Sequence, residues 1–185
     1  GADPANLALD DFADAINACD DLVNIGAGTG PRYRSGFRVS VDQPPIEPLQ
    51  EHLKACSGQL ADIGGRWIAR AGPPTLPILS ITDDDVIESI EIEDTPHEPW
   101  EQRVNAIIGG FPDPAEVYEA RETSLQTNAA WEAEDGGQRR TAQVDYPAVP
   151  FAGRVFLLNR EKIADARRQR RHVVTVAPWA AHALP

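Results

Sequence analysis

Asn105–Tyr118 and Ala133–Gly137 decide the fold, and they read NAIIGGFPDPAEVY and AEDGG. The apolar run at the start of the first stretch is typical of a buried strand. The prolines that follow lack the N–H that a sheet ladder needs, so they predict that the strand gives way to a loop. The paired glycines of the second stretch predict a tight turn after a polar connection. No catalytic motif combines these features, which favours a structural part over an enzyme.

Composition and charge narrow the class of protein. The chain has 185 residues, 42% of them hydrophobic, and a formal net charge of −12. We expect two units, a helix–strand–helix–hairpin unit over residues 1–75 and a mostly β unit with a C-terminal helix over residues 76–185. The acidic balance disfavours nucleic-acid binding, which needs clustered Lys and Arg. The apolar runs are short, so we expect no membrane insertion.

The start of the chain suggests a fragment of a longer protein, and the cysteines suggest a reducing compartment. The chain starts Gly-Ala and contains no methionine, so we expect an excised fragment. Cys19 and Cys56 fall among apolar residues on predicted helices. We therefore expect two buried, reduced thiols, which fits a reducing compartment.

Helical periodicity predicts three helices, each with one apolar face. The first precedes a glycine-rich linker, Gly26–Pro31, and the second ends at Gly58. The third follows Pro150 and ends near Arg167–Arg171. The residues assigned to the three faces are Phe12, Ala15, Ile16 and Cys19, then Ile46, Leu49, Leu53 and Cys56, then Ala152, Val155, Phe156, Ile163 and Ala166.

Strand patterns outnumber the helices, so the predicted fold class is α+β. Two hairpins are expected at glycine pairs. One joins Gln59–Ile63 to Arg66–Arg70 across Gly64-Gly65, and the other joins Trp131–Glu134 to Arg139–Tyr146 across residues 136–137. Further strands are expected at Arg32–Val41, Ile78–Ile81, Ile87–Ile92, Trp100–Phe111 and Val173–Val176. We expect the strands at 87–92 and 100–111 to pair, and residues 112–130 to form a polar excursion loop.

Acidic residues supply two candidate sites, a calcium loop and a sugar-cleaving pair, and neither has the spacing typical of such a site. Asp83–Asp85 lacks the alternating spacing of a calcium loop, and Thr82 before it is a good helix cap. Glu134 and Asp135 beside Trp131 could form a sugar-cleaving pair. Adjacent acids on a strand point to opposite faces, however, so they would make a poor pair.

The remaining reactive residue types also favour structural roles. His52 lies one helical turn before Cys56, but a core-facing thiol is a poor nucleophile. The four histidines, His52, His97, His172 and His182, show no metal-ligand spacing. The basic cluster Arg167–His172 fits a helix C-terminus or a subunit interface. We therefore assign no catalytic, cofactor-binding or metal residue and expect no cofactor.

Taken in order, these segments resemble the central region of bacteriophage tail-tip proteins, the family of the lambda host-specificity protein J. The matching segments are Ala15–Asp20, Arg32–Arg34, Leu49–Gly58, Gly64–Trp67, Ala71-Gly72, Leu79–Asp85, Asn105–Tyr118, Ala133–Gly137 and the final Arg-rich helix. The chain departs from the family pattern at Ser35-Gly36-Phe37 and at Pro150–Arg154. Each segment alone is weak, but their common order is fairly specific.

The resemblance implies a β-rich domain with inserted helices, like the baseplate hub of contractile tails. It also implies a trimeric ring with other tail proteins as partners, a place at the virion tail tip after synthesis in the bacterial cytoplasm, and a non-enzymatic role in tail assembly and host attachment. The alternative is a carbohydrate-binding or glycoside-hydrolysing module. The tryptophans at 67, 100, 131 and 179 separate the two, because a sugar module would align them along one groove.

Overall fold

The computed structural model describes residues 4–26, 28–73, 82–88, 103–167 and 175–176. Helices and mostly antiparallel sheets occur together, which confirms the α+β class. The helices are α1 Leu9–Asp20, α2 Ile46–Ala55, α3 Ala129–Glu134 and α4 Ala152–Ala166. The strands are β1 Leu22–Asn24, β2 Thr29–Pro31, β3 Gln59–Ile63, β4 Arg66–Arg70, β5 Val86–Glu88, β6 Ala106–Asp113, β7 Glu119–Glu122, β8 Gln126–Thr127, β9 Thr141–Asp145 and β10 Thr175–Val176. The described helices are thus one more than the three predicted.

The largest described sheet is built on β6, which begins within the predicted strand at residues 100–111 and ends two residues beyond it, at Asp113. The C-terminal half of β6 pairs antiparallel with β7, and its N-terminal half pairs antiparallel with β8. β9 runs parallel to β6, with Ala106 opposite Thr141. With strands on both edges, β6 lies at the centre of this sheet, and its apolar residues Ile107 and Phe111 are buried.

Two glycines let α4 and β9 approach β6 closely. A Cβ at Gly109 would collide with Val155 and would lie 2.7 Å from Asn159 Nδ2, both on α4. A Cβ at Gly110 would collide with the carboxylate of Asp145 on β9. Glycine inside a strand often marks such an approach. Gly109 therefore sets how near α4 lies to the sheet, and Gly110 leaves room for the Asp145 side chain.

One hydrophobic core joins segments from both halves of the chain. Its buried members are Tyr33, Ala55, Phe111, Tyr146, Ala148, Val149, Val155, Leu157 and Leu158. Cys19, Val23, Phe37, Cys56 and Val144 pack against it while staying partly exposed. The division into units at residues 1–75 and 76–185 stays a prediction.

The predicted hairpin at Gly64-Gly65 is confirmed. Ile63 lies opposite Arg66, and the two glycines have φ values of 62° and 85°. A two-residue loop with positive φ at both positions is the turn that suits twisted strands, and glycine adopts it without a steric penalty. The Asp62 carboxylate accepts a hydrogen bond of 2.8 Å from the Gly65 amide and supports the turn.

Two expectations for residues 26–41 are wrong. The predicted linker Gly26–Pro31 contains β2, which pairs with β1 in a hairpin. The predicted strand Arg32–Val41 is irregular. The amide of Tyr33 donates to Cys19 O and the amide of Gly36 to Ala148 O. Because these amides bond to different elements, the segment lines the core without forming a ladder.

The predicted excursion loop at residues 112–130 is also wrong. The chain turns at Pro114–Glu116, returns along β6 as β7 and β8, and then enters α3. β7 is exposed at all four residues, so it carries no apolar alternation that would reveal a strand. Its pairing depends on β6 and not on its own side chains.

The second predicted hairpin, across residues 136–137, does not exist. Residues 129–134 form α3, because the Asn128 side chain caps the helix by accepting from the amides of Ala130 and Trp131. Gly136 and Gly137 do have positive φ, at 73° and 78°, but they end a helix. β9 then pairs with β6 and not with residues 131–134.

The predicted pairing of the strands at 87–92 and 100–111 is not found where the structure describes them. The described part of the first, β5, pairs with β10, and β6 pairs with β7, β8 and β9. β10 confirms the last two residues of the predicted strand Val173–Val176. Residues 89–102 and the predicted strand Ile78–Ile81 lie outside the described residues.

The predicted helical faces are right only in part. Val155 and Ile163 of α4 are buried, but Phe156, Ala152 and Ala166 are exposed. Ile16 of α1 and Ile46 and Leu49 of α2 are exposed as well. The buried side of α4 is instead set by contact with β6 and carries Leu157, Leu158 and Asn159.

α2 ends at Ala55, close to the predicted end at Gly58, and the geometry after it shows why the glycine is needed. Ser57 is the residue with positive φ, at 48°, and the Gly58 amide donates to Leu53 O at 2.7 Å. This is the bond pattern that commonly ends a helix. A Cβ at Gly58 would lie 2.6 Å from Cys56 Sγ and 3.1 Å from Arg70 O, so glycine is required by space.

We predict that Gly109→Ala destabilises the protein by about 2 kcal/mol, since the added Cβ overpacks the contact between α4 and β6. Gly136→Ala is the matched control. The added Cβ at residue 136 meets open space, so only the positive φ opposes it, and we expect a destabilisation of about 1 kcal/mol. Urea denaturation measures both. A Gly109→Ala variant as stable as the wild type would contradict the close approach.

Candidate functional site

The acidic segment at 83–85 is a capped turn. Asp85 Oδ2 accepts hydrogen bonds from the Thr82 amide at 2.9 Å and the Thr82 hydroxyl at 2.8 Å. The bond from the backbone amide is the main reason that the pKa of Asp85 is lowered. Within the described part of the chain, no three His, Cys, Asp or Glu side chains form a group that could hold a metal ion.

His52 and Cys56 make separate contacts. His52 Nδ1 lies 3.1 Å from the Ser35 hydroxyl, and its ring meets the edge of Phe37 with centroids 4.9 Å apart. The Cys56 thiol donates to Leu53 O at 3.4 Å, and burial raises its pKa to about 11. A thiol so weakly acidic is a poor nucleophile at neutral pH. The other three histidines lie outside the described residues.

Glu134 and Asp135 meet in a buried network around one arginine. The Asp135 side chain has 0% exposure and lies 2.8 Å from Arg167 Nη1 and 3.8 Å from Arg103 Nη1. Asn105 Nδ2 donates to Asp135 Oδ2 at 2.9 Å. Glu134, on the exposed side, accepts from Arg167 Nη2 at 2.6 Å. The two acids thus bind one cation and do not oppose each other across a cleft.

Asn105 extends the network to the start of the sheet. Its Nδ2 also donates to Gln138 O at 2.7 Å, and its Oδ1 accepts from the Arg140 amide at 2.8 Å. Asn105 itself is fully buried. One amide side chain therefore holds the loop after α3 against the residue that precedes β6, which places β9 parallel to β6.

The electrostatics favour an ionised Asp135. Burial acts to raise its pKa, but the hydrogen bond from Asn105 and the charges of Arg167 and Arg103 outweigh burial and lower the pKa. Arg167 also covers the ring of Trp131, with its guanidinium carbon 5.6 Å from the ring centroid. The aromatic face that a sugar would need is therefore occupied by a protein side chain.

A second polar cluster surrounds Glu161 at a pocket of about 340 Å³. Glu161 Oε2 accepts from the hydroxyls of Tyr33 and Ser57, each at 2.7 Å. Its Oε1 has Arg32 Nη1 at 4.0 Å. Burial, followed by the bond to Glu161, raises the pKa of Tyr33. The cluster ties α4 to the irregular segment at Tyr33 and to the end of α2.

The pocket beside Glu161 has apolar walls and exposed cations. Leu53, Val144, Tyr146 and Leu158 are among the lining residues. The lining cations are Lys54, Arg70 and Lys162, and Asp165 lies among them. Lys54 and Lys162 are exposed, and Lys54 Nζ lies 5.5 Å from the centre of the Tyr146 ring.

The turn between β6 and β7 is built by Asp113. Its Oδ1 accepts from the Ala115 amide at 2.9 Å, and its Oδ2 pairs with Arg121 at 2.9 Å. The Asp113 carbonyl accepts from the Tyr118 amide at 2.8 Å. These bonds hold Val117 and Tyr118 at positive φ of 55° and 62°, a conformation that a β-branched residue rarely adopts. Val117 is 87% exposed and Tyr118 65%.

The sequence pattern had named only part of these groups. The sequence indicates Glu134, Asp135, Trp131 and Arg167, but their common network depends on Asn105 and Arg103, which no sequence pattern singles out. Asp113 before a proline is a usable signal, since Asp side chains bond to amides two residues on. Glu161 and Tyr33 are 128 residues apart, and no local pattern connects them.

The two described tryptophans occupy separate settings. Trp67 lies on β4, where its carbonyl accepts from the Ala8 amide. Trp131 packs under Arg167. Neither lines the pocket beside Glu161. Trp100 and Trp179, like residues 168–172 of the basic cluster, lie outside the described residues, so the test of a common groove stays open.

Comparison with known proteins identifies a family. A family model with the description "putative phage tail protein" matches residues 44–184, which is more than half of the chain. No curated protein matches the chain. Among the described residues, no helix is long and apolar enough to cross a membrane.

We predict that Asp135→Asn lowers the free energy of unfolding by about 3 kcal/mol, because it leaves Arg167 and Arg103 without their buried counter-charge. Glu132→Gln on the same helix is the control. It breaks the surface pair with Arg139, so we expect a loss of at most about 1 kcal/mol. Chemical denaturation of both variants at pH 7 decides, and equal losses would contradict a buried network.

The Asp135 carboxylate should also make the stability of the folded protein depend on pH. Folding lowers the pKa of Asp135, so its stabilisation is complete above the ordinary aspartate pKa of about 3.9 and is lost as the pH falls through the lower folded value. The stability difference between wild type and Asp135→Asn should therefore shrink below about pH 4. A difference that stays constant from pH 7 to pH 3 would refute the assignment.

We predict that Cys19 and Cys56 are both reduced and react slowly. Both cysteines are free and half-buried, where full burial was predicted, and burial is the main cause of the raised pKa of each thiol. Labelling by a thiol reagent at pH 7.5 should be about tenfold or more slower in the folded than in the unfolded protein. Rapid labelling, or a 19–56 disulfide found by mass spectrometry, would show the prediction to be wrong.

Proposed function

The chain belongs to this family of phage tail proteins, and from that premise we propose that it is a structural component of a tail tip or baseplate hub, acting in tail assembly and host attachment. The observation that carries the proposal is the family match over residues 44–184. The matched range includes the sheet on β6, α4 and the Asp135 network. The family places the protein in the virion, and the tail tip is our more specific proposal.

The state of the ionisable side chains supports a structural role. Asp135 and Glu134 are both bound by Arg167, and Glu161 is held by two hydroxyls. A general acid or base needs a free lone pair or proton near a substrate position, with a pKa close to the working pH. The lowered pKa of Asp135 and its buried arginine partner fit a locked contact. We therefore propose that the protein is not an enzyme.

The exposed side chains support the proposal that neighbouring chains cover part of this protein's surface in the tail. Several large apolar side chains are exposed, and scattered single ones would need no explanation, but Val117 and Tyr118 are adjacent and held in a strained turn. β7 next to them exposes all four of its side chains. The proposed partners are other copies of the chain, in a trimeric ring, and other tail proteins.

The carbohydrate alternative gains no support from the described residues. Its best candidate pair, Glu134 and Asp135, shares Arg167, and the same arginine lies over Trp131. A sugar-binding face would have to be open to solvent for stacking. We therefore carry only the tail function forward.

Antibody-labelled electron microscopy tests the proposed function. Phage particles from the host that carries the gene should bind a labelled antibody against this chain at the end of the tail, and the label should be absent from particles whose gene is deleted. Deletion should also yield tails that fail to complete. Label on the capsid, or normal infectious particles after deletion, would overturn the proposal.

A further inference from the structure

We propose that the turn Asp113–Tyr118 of one copy docks into the pocket beside Glu161 of a second copy, forming a head-to-tail contact between copies of this chain. The inference rests on the proposed assembly role and adds the interface and its chemistry. The donor surface, here called the knob, consists of Val117 and Tyr118. The acceptor is the pocket lined by Leu53, Val144, Tyr146, Leu158, Lys54 and Lys162.

The knob holds two apolar side chains in solvent at a cost in backbone strain. Positive φ at a non-glycine residue costs on the order of 1–3 kcal/mol and persists only where surrounding bonds enforce it. Asp113 enforces it here through the amides of Ala115 and Tyr118 and through Arg121. Glycine would form the same turn without strain. The use of valine and tyrosine instead indicates that the side chains are needed.

Acidic residues surround the knob. Glu116 and Glu119 flank Val117 and Tyr118 and are exposed. Arg121 is committed to Asp113 at 2.9 Å, with Glu116 at 4.0 Å. The exposed charge around the two apolar side chains is therefore negative. Such a surface fits an apolar pocket with cations at its edge.

The pocket beside Glu161 has that chemistry. Its volume of about 340 Å³ accommodates an aromatic side chain, and its apolar walls come from α2, β9 and α4. The exposed Lys54 and Lys162 are placed to meet acids on an incoming knob. With Arg70, Glu161 and Asp165, the lining carries three cations against two carboxylates.

Glu161 supplies a directional contact at the pocket. Its Oε2 already accepts two hydroxyl hydrogen bonds, whereas Arg32 Nη1 lies 4.0 Å from Oε1, beyond hydrogen-bond distance. A phenol hydroxyl entering the pocket can donate to Oε1. Tyr118 is the exposed residue of the knob that carries this group.

Knob and pocket share no residue, so one copy can use both at once. A contact between two different surfaces of identical chains closes into a ring or extends into a filament. The net charge of −12 makes most surfaces of two copies repel each other. Association should therefore be confined to places where opposite charges meet, which makes charge reversal a sharp test.

Sedimentation equilibrium of the purified chain over the micromolar range is the first measurement. We expect reversible self-association of the wild type. The Val117→Gly/Tyr118→Gly double variant should stay monomeric and keep its melting temperature, because glycine suits both backbone positions. Tyr118→Phe should weaken association about tenfold, since it loses the bond to Glu161. Val41→Ser, at a fully exposed valine away from the knob, should associate like the wild type.

Charge reversal and mixing test the acceptor. Lys162→Glu should weaken self-association about tenfold or more, and Glu119→Lys added to it should restore association. The Lys162→Glu chain keeps its knob, and the double-glycine chain keeps its pocket. A mixture of these two chains should form a 1:1 dimer and nothing larger, since only one working contact remains per pair.

The outcomes are decisive and separate from the proposed function. A wild type that stays monomeric, a double-glycine variant that associates like the wild type, or a monomeric mixture overturns the knob-and-pocket contact. Antibody label at the tail end together with any of these results would leave the tail function standing and show that another surface makes the contact. Absence of label would remove the function whatever the sedimentation result.

Discussion

The close approach of α4 to β6 is the constraint on which the rest of the structure depends. It requires a strand residue without a side chain at Gly109, because Val155 and Asn159 occupy the space that a Cβ would need. Asn159 is fully buried there, and its Nδ2 lies 3.3 Å from the Thr123 hydroxyl, which also accepts from the Gly109 amide. Helix, strand and the connection after β7 thus meet at one point.

From that position α4 organises three distant parts of the chain. Arg154 near its start donates to Pro31 O of the first hairpin, and Glu161 receives Tyr33 and Ser57. Arg167, directly after the helix, neutralises Asp135. Each contact joins residues far apart in sequence, so each depends on the helix being correctly seated. A helix displaced by a methyl group at residue 109 would disturb all three, which gives the glycine more influence than its size suggests.

Two acidic side chains inside the protein have partners, whereas those at the surface face solvent. The buried Asp135 is paired with Arg167, and the half-buried Glu161 accepts from two hydroxyls, because a buried charge without a partner is very costly. Most of the other acids that the structure describes are exposed, and the chain as a whole has a net charge of −12. Against this acidic surface, the strained apolar turn at Val117 and Tyr118 stands out as the feature that folding alone does not explain. A role in contact with another chain accounts for it.

Local patterns in the sequence determined the α+β class, three of the helices, the hairpin at Gly64-Gly65 and the strand after Asn105, because helical periodicity and a two-residue glycine loop are properties of neighbouring residues. The tertiary structure alone decided what Gly136-Gly137 does. Positive φ at two glycines serves a hairpin or a helix end equally well, and the Asn128 cap together with the pairing of β9 on β6 selected the helix end. Likewise, β7 is a strand because β6 offers it hydrogen bonds, and Phe156 is exposed because α4 turns another face to Gly109. The sites followed the same rule: their residue types were visible in the sequence, but the partners of Asp135 and Glu161 lie about 30 to 130 residues away, and only packing brings them together.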